Sequence, residues 1–152
     1  MNPSSGNLHP TETYVAPRAF TGVEDGFYHY RADRHALEPR SRGAWTQHLA
    51  RALEIPWAAE SPLIIGLTSI FWREAWKYGE RAYRYCCHDL GHAMMSALLA
   101  ARALGLPGGV VAHFSDSRLA RALGLAKSDE APMAFLVFPP QNNSIGLSAT
   151  LE

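Results

Sequence analysis

Polar and aromatic side chains recur at helical spacing in the segment FWREAWKYGERAYRYCCHDLGHA. Residues three and four apart on a helix are neighbours, so these side chains would share one face. The face consists of Tyr78, Arg81, Tyr85, His88 and His92. Buried polar groups need partners, and a bound ligand could supply some of them. Two solvent-exposed turns with structural tyrosines explain the same spacing, so the sequence leaves both interpretations open.

His88 and His92 stand four residues apart, the spacing that lets two imidazoles reach one metal ion. The pentapeptide HDLGH differs from the zinc-hydrolase pattern HExxH because Asp89 replaces the general-base glutamate. A third ligand would have to come from His113, Asp116 or elsewhere, since catalytic zinc sites use three protein ligands. The simpler interpretation is that the histidines form hydrogen bonds within the polar face, and we assign no metal ligands.

The N-terminal stretch NPSSGNLHPTETYV is rich in small and polar residues and runs directly into a predicted strand. A polar terminus is commonly frayed. A small-residue loop that is fixed against a strand can instead bring its backbone close to a ligand, because glycine permits such an approach. The stretch therefore has two interpretations.

Hydrophobic periodicity predicts strands and helices without a regular βαβ rhythm, which indicates an α+β fold. The predicted elements are a strand over 11–17, a hairpin with strands at 27–30 and 36–38, a helix over 42–54 that ends at Pro56, a buried strand in SPLIIGLTSIFW, a long helix over 77–104, a strand over 110–114, a helix over 115–123 and a strand over 131–138. Lys77 and Tyr78 then lie at a strand-to-helix junction, where helical N–H groups are unpaired and positively polarised.

The predicted long helix is apolar on more than one side. One stripe at steps of three and four contains Ala82, Cys86, Leu90, Ala93, Ala97, Ala101 and Leu104, whereas Met94, Met95, Leu98 and Leu99 lie outside it. A helix that is apolar all round must be enclosed. A chain of this size can hardly enclose it alone, so we predict a homodimer in which a second copy covers part of the helix. The alternative is a central helix wrapped by its own sheet.

The composition is that of one globular domain, which we place at residues 1–140, followed by a disordered tail at 141–152. The formal net charge is zero, so we expect neither nucleic acid nor a membrane surface as a partner. The sequence has no run of about 18 apolar residues that would predict a membrane-spanning helix. Its two cysteines, Cys86 and Cys87, are adjacent and leave nothing for a disulfide framework, which predicts a cytoplasmic protein.

Three motifs together resemble the nitroreductase superfamily, and specifically its SagB-type dehydrogenases, which include the azoline-oxidising enzymes of thiazole and oxazole peptide biosynthesis. The motifs are PSSGNLHPTETYV, GFYHYRADRHALE, and WREAWKYGERAYRYCCHDLGHA followed by AARALGLPGG. Their order and spacing agree with the family up to about Pro140. The resemblance implies a nitroreductase-like fold, in which an antiparallel or mixed sheet is flanked by helices and a long central helix is buried. It also implies FMN bound in a site shared across a homodimer.

The resemblance implies roles for individual residues. The flavin-binding loop would include Pro3, Ser4, Ser5, Gly6 and Asn7, and Arg81 is a further cofactor-binding candidate. Lys77 and Tyr78 occupy the position of the Lys-Tyr pair that serves catalysis in azoline dehydrogenases. Azoline oxidation removes a proton from carbon and transfers a hydride equivalent to flavin, so a desolvated lysine or a tyrosine could act as the base.

The sequence departs from the family at both ends. Family members normally carry an Arg-rich segment before the PSSG loop, whose arginines hold the FMN phosphate, and a C-terminal segment that returns to the flavin. Neither segment is recognisable here, so we expect a truncated gene product, a mis-called start or one half of a split pair. The leading hypothesis is an FMN-dependent oxidoreductase acting on a small-molecule or azoline-like peptide substrate. The alternatives are a non-catalytic remnant or split subunit without stable FMN, and a metal-dependent hydrolase through His88 and His92.

Overall fold

The computed structural model describes residues 2–125 and 129–140, which form one sheet with helices on both faces. The strands are β1 (Thr11–Pro17), β2 (Gly26–Arg31), β3 (Ala36–Arg42), β4 (Leu63–Ile70), β5 (Gly109–Val111) and β6 (Glu130–Phe138). The α-helices are α1 (Trp45–Leu53), α2 (Trp72–Tyr78), α3 (Ala82–Ala103) and α4 (Asp116–Ala122), and 3₁₀ helices occupy Ser5–Asn7, Pro56–Glu60 and Gly79–Arg81. The predicted tail at 141–152 lies outside the described residues.

The six strands are ordered β3-β2-β1-β4-β6-β5, and their pairings are antiparallel. Strand β1 pairs with β4 along its whole length, from Thr11 opposite Ser69 to Pro17 opposite Leu63. This arrangement confirms the predicted α+β class with an antiparallel sheet. Because β1 lies inside the sheet, its register also fixes where the preceding N-terminal stretch must run.

The two faces of the sheet bury different helices. Alternate residues of a strand point to opposite faces. Phe135 and Val137 of β6 accordingly belong to a core with residues of α1 and α4, such as Leu49 and Leu119. Leu136 and Phe138 belong to a second cluster with Ala101 of α3. Helix α3 therefore covers the face of the sheet that α1 and α4 leave open.

The sequence predicts one helix over 77–104, but the structure has a break in it. Lys77 and Tyr78 end α2, and α3 begins at Ala82 after one 3₁₀ turn. Gly79 has φ 54° and ψ −129°, and its N–H donates to the Ala75 carbonyl, so the chain leaves the helix there. The prediction of a strand-to-helix junction at Lys77 is therefore wrong, because that residue lies at the C-terminal end of a short helix.

Helix α3 is shorter than the predicted helix over 77–104, and a single chain buries only part of it. Its buried residues are Ala82, Cys86, Asp89 and Ala101. Met95 and Leu99 are 55% and 61% exposed, so apolar side chains face outward on the side away from the sheet. This is the side of α3 that the predicted second copy would cover, and the structure of one chain does not test that prediction. Within the described ranges, α3 included, no helix combines the length and hydropathy that crossing a bilayer requires.

Candidate functional site

The N-terminal stretch folds into a tight turn directly before β1. Residues Ser5–Asn7 form a single 3₁₀ turn in which Gly6 and Asn7 both have positive φ, of 57° and 59°. The His9 N–H donates to Ser4 Oγ at 2.8 Å, and His9 Nε2 lies 2.8 Å from Asn7 Oδ1. These contacts tie the two ends of the turn together, so the structure favours the fixed loop over the frayed terminus.

The carboxylate of Asp89 holds this turn against α3. Ser4 Oγ donates to Asp89 Oδ2 at 2.6 Å, and Ser5 Oγ donates to Oδ1 at 2.8 Å. The Ser5 N–H lies 2.9 and 3.1 Å from the two carboxylate oxygens. Asp89 is only 2% exposed, and hydrogen bonds to a charged acceptor are among the stronger ones. Asp89 is therefore the anchor that positions the N-terminal turn.

Sequence reasoning considered Asp89 only as a replacement in a zinc pattern. The position of Asp89 in the sequence could have shown that it is buried. Asp89 follows Cys86 by three residues and precedes Leu90, so it stands on the apolar side of α3. A carboxylate there needs partners that donate hydrogen bonds, and the two serines of the PSSG loop are such donors.

Gly6 brings the turn into contact with Lys77 and Tyr78. A Cβ atom built on Gly6 would lie 2.6 Å from Lys77 Nζ and 2.6 Å from Tyr78 Oη, closer than real Cβ contacts allow. Glycine is therefore favoured here by its positive φ, and a larger residue would displace the ends of the Lys77 and Tyr78 side chains. Lys77 is solvent-exposed and Tyr78 is half-buried, so the expected desolvation of the lysine is not provided within one chain.

An aromatic row extends from Tyr78 along the start of α3. The Tyr78 and Tyr85 rings pack with centroids 4.3 Å apart, and the Arg81 guanidinium lies 5.4 Å from the centre of the Tyr85 ring. His88 meets the other edge of Tyr85 at 6.2 Å. The candidate Arg81 thus reaches the site through Tyr85, whereas its side chain remains exposed and apart from the turn.

A cavity of about 920 Å³ opens beside the turn, between α3 and the outer part of the sheet. Ser4, His9 and Asp89 line one end of it, and the hairpin residues His29, Arg31, Glu38 and Arg40 contribute to the rest. Arg73 closes the near side, because its Nη1 donates to the His9 carbonyl at 2.8 Å and to Glu12 Oε1 at 2.6 Å. The turn is therefore fixed at two points, by Asp89 and by Arg73.

A second carboxyl group lies buried beside the site. Glu74 of α2 has no exposed surface, and neither of its oxygens has a hydrogen-bond partner within the described residues. Burial raises the pKa of Glu74, the charge of Asp89 raises it further, and Lys77 acts in the opposite direction. Sequence reasoning missed Glu74. The available signal was its position three residues before Lys77, which places both on neighbouring turns of α2.

The two histidines of the metal alternative do not gather further ligands. His88 and His92 are both exposed, and His88 packs against Tyr85. Across residues 2–125 and 129–140, no group of three or more histidine, cysteine, aspartate or glutamate side chains is arranged to hold a metal ion. The proposed third ligands His113 and Asp116 lie near the start of α4, where they are exposed.

The structure thus unites most of the predicted site residues in one place. Ser4, Ser5 and Gly6 meet the Lys-Tyr pair, whereas Pro3 is exposed at the outer end of the turn. Asn7 contacts His9 on its far side. The cluster combines a cation, a phenol and a closely approaching backbone, which can bind a planar polar ligand and exchange a proton with it.

Comparisons with known proteins agree with this geometry. Residues 1–138 match the nitroreductase family. "Putative nitroreductase MJ1384" of Methanocaldococcus jannaschii is 31% identical over 135 residues, which cover 88% of this chain and 67% of that protein. The microcin B17-processing protein McbC of Escherichia coli is 29% identical over 149 residues, which cover 93% of this chain and 54% of McbC.

A solved structure shows the same fold. One chain in the E. coli microcin synthetase McbBCD complex with truncated pro-MccB17 bound superposes with a TM-score of 0.79 at 27% identity. The match covers 93% of this chain and 56% of that chain. The likeness confirms the predicted fold, and the chain spans between about half and two thirds of the length of these relatives.

Proposed function

We propose a function from one premise: the chain belongs to the nitroreductase family, whose members are oxidoreductases that usually bind flavin. The proposed activity is that of an FMN-dependent oxidoreductase, which transfers hydride equivalents between flavin and an organic substrate. The finer assignment is to the SagB-type dehydrogenases. Similarity to McbC over nearly the whole chain supports that assignment.

The observation that carries the proposal is the contact between the N-terminal turn and the Lys-Tyr pair. Gly6 lies so close to Lys77 Nζ and Tyr78 Oη that a Cβ atom on it would be 2.6 Å from each. The motifs that the resemblance assigns to flavin binding and to catalysis are separated by about seventy residues in sequence. Their meeting at one point is what a flavin site of this family requires.

The residues at this point suit a flavin ring. The carbonyl oxygens and ring nitrogens of an isoalloxazine accept hydrogen bonds, and the Lys77 ammonium, the Tyr78 hydroxyl and backbone N–H groups are donors. Gly6 keeps the backbone of the turn free of a side chain on this side. The turn, Lys77 and Tyr78 would hold the ring, and the bound flavin would supply the two-electron redox chemistry.

Lys77 and Tyr78 have distinct tasks in this proposal. The Tyr78 ring is packed against Tyr85, so its hydroxyl is held in one direction and can take a proton from, or return one to, a substrate carbon or heteroatom. The Lys77 ammonium also lies beside Gly6, as the Tyr78 hydroxyl does, and it stabilises negative charge that develops on a ligand bound there. Asp89 holds the turn in position next to both groups through its hydrogen bonds with Ser4 and Ser5.

An azoline-like peptide is the proposed substrate class. McbC is named a processing protein for microcin B17, and the related complex contains a truncated precursor. The cavity of about 920 Å³ that ends at Ser4 and Asp89 has the size of a pocket that accepts ligands larger than a single ring. Its charged walls favour a polar chain over a compact nitroarene or quinone.

We also propose that the working form is a homodimer. The exposed apolar side of α3 gives a second copy a surface to cover. In this proposal the second copy also contributes residues to the cofactor site.

The visible spectrum of the purified full chain tests the cofactor. After incubation with FMN and gel filtration, flavin absorbance should elute with the protein at a stoichiometry near one per subunit. A dimer that stays colourless at saturating FMN would overturn the proposal and support the non-catalytic alternative. Riboflavin serves as a matched control for binding through the ring alone.

Substrate class is tested on the flavin-loaded protein. Under anaerobic conditions, an azoline-containing peptide should bleach the flavin absorbance as it loses one proton and one hydride to become the aromatic azole. The same peptide with the azole already formed is the control. Bleaching by neither peptide, together with rapid reoxidation of the chemically reduced protein by a nitroarene, would favour a nitroreductase instead.

A further inference from the structure

A buried carboxyl group adjoins the proposed flavin site without a task in the mechanism above. Glu74 is completely buried in α2, and both of its carboxyl oxygens lack a hydrogen-bond partner within the described part of the chain. Asp89, whose charge acts on Glu74, is 2% exposed. Two acidic side chains therefore share one water-poor region directly behind the N-terminal turn.

The two acids differ in their hydrogen bonds. Asp89 accepts bonds from two serine hydroxyls and from the Ser5 N–H, whereas Glu74 receives no donor from the described residues. A buried carboxylate without donors is costly. Burial and the charge of Asp89 accordingly raise the pKa of Glu74.

We propose that Glu74 is a positioning residue of the flavin site, an inference that rests on the proposed function. While Glu74 is protonated, Asp89 faces no second negative charge and holds the N-terminal turn against Lys77 and Tyr78. Ionisation of Glu74 would put a second negative charge beside Asp89. The two carboxylates would repel each other, and displacement of the Asp89 side chain would weaken its bonds to Ser4 and Ser5.

Lys77 is affected by the same ionisation. It lies one turn after Glu74 on α2, and the two interact electrostatically. A charged Glu74 would attract the ammonium away from Gly6, whereas a neutral Glu74 leaves it at the turn. Glu74 thus affects both partners in the contact at Gly6. It affects the N-terminal turn through Asp89, and it affects Lys77 directly.

Three titratable groups act on Glu74 from the elements around it. Asp89 and Cys86 approach from α3, and Lys77 belongs to α2 itself. Burial raises the pKa of the Cys86 thiol, with smaller contributions from Glu74 and Asp89, so the thiol stays neutral. Asp89 is therefore the only one of these three that disfavours ionisation of Glu74 by its charge.

The direction of the pH effect follows from proton linkage. A carboxyl group whose pKa is higher in the folded than in the unfolded chain binds more protons when folded. The stability that it contributes is fully present below the ordinary pKa of glutamate and is lost as the pH rises through the folded pKa. The N-terminal turn should loosen in the same pH interval.

The test is hydrogen exchange at the Ser5 amide in the flavin-free full-length chain, because this N–H donates to Asp89. In the wild type, the protection factor of Ser5 should fall by about tenfold or more as the pH rises through the titration of Glu74. Glu74→Gln cannot ionise and should show no fall. Glu80→Gln, which neutralises an exposed glutamate in the adjacent 3₁₀ turn, should behave as the wild type.

Equal pH profiles in the wild type and Glu74→Gln would overturn the proposal. If Glu74→Gln does not fold, Glu74→Met provides a second non-ionising side chain of similar length, for which the same flat profile is expected. Since no flavin is present, the result is independent of the proposed function. When FMN binds, its dissociation constant should rise with pH in the wild type and stay level in Glu74→Gln, and a parallel rise in both would count against Glu74.

Discussion

Asp89 and Ser5 are 84 residues apart in sequence, yet the carboxylate of Asp89 accepts both the backbone N–H and the hydroxyl of Ser5. One side chain in the middle of α3 thereby fixes the conformation of the N-terminal turn. The turn in turn meets Lys77 and Tyr78 through Gly6. The integrity of the proposed site accordingly depends on a contact outside the catalytic pair.

Replacing Asp89 should release the turn. In Asp89→Ala, two hydroxyls and one N–H lose a charged acceptor, so the free energy of unfolding should fall by about 1.5–3 kcal/mol. FMN affinity should fall by about tenfold or more, as measured by quenching of flavin fluorescence. Glu60→Gln removes a carboxylate from an exposed ion pair with Arg18, away from the cavity, and should change neither quantity by more than about 1 kcal/mol. Equal FMN affinities in Asp89→Ala and the wild type would show that Asp89 does not position the N-terminal turn for flavin binding.

Gly6→Ala tests the contact between the turn and the Lys-Tyr pair. The new methyl group would collide with Lys77 Nζ and Tyr78 Oη, so FMN affinity and turnover should both decrease. Gly22→Ala is a matched control, because Gly22 also has positive φ, of 82°, but has nothing within 4 Å of a built Cβ. Both variants should lose about 1–2 kcal/mol from backbone strain. Only Gly6→Ala should lose flavin; equal losses in both would mean that strain alone explains the effect.

Tyr78→Phe and Lys77→Ala should lower turnover far more than they lower stability. Phenylalanine keeps the packing against Tyr85, and Lys77 is exposed, so the melting temperature should hardly change. Loss of a group that transfers a proton typically costs about 10²-fold or more in kcat. Tyr83→Phe alters a tyrosine that is 64% exposed and is the control. Unchanged turnover in both variants would remove the catalytic assignment.

A charge on the outer side of α3 should disrupt the proposed dimer. Met95→Glu or Leu99→Glu would place a carboxylate in the apolar contact, so light scattering should show monomers, or the protein should become insoluble. Leu98 is not suited to this test, because it packs against the core cluster on the sheet side of α3. Trp57→Glu is a control, because Trp57 is 52% exposed but lies in the 3₁₀ helix that packs with α1 on the opposite face. An unaltered dimer in both α3 variants would place the subunit contact elsewhere.

Local sequence signals predicted most of the sheet. Strand β1 has the predicted bounds, and the hairpin of β2 and β3 turns at the expected polar residues. These elements depend on alternation and turn residues within a few positions of each other. Helix α1 begins at Trp45, later than predicted. Gly43 has a φ of 106°, which is not a helical angle, so the helix cannot extend towards the N-terminus through this residue.

The break between α2 and α3 was not predictable in the same way. Helical periodicity of polar residues continues from Tyr78 through His92 in the sequence, and Gly79 alone is a weak signal, since glycine also occurs inside helices. Gly79, with φ 54° and ψ −129°, ends α2 and leaves the Lys77 and Tyr78 side chains next to Gly6 of the N-terminal turn. That placement depends on packing between elements distant in sequence.

The sequence by itself determined the strands, the family and the identity of the residues in the flavin motifs, because residue types and short-range spacing carry that information. The tertiary structure decided which side chains meet: Asp89 with the serines, Gly6 with the Lys-Tyr pair, and Glu74 behind both. A buried carboxyl group looks like an exposed one in sequence. Its partners, and with them its charge, are set only when strands and helices far apart in the chain are packed together.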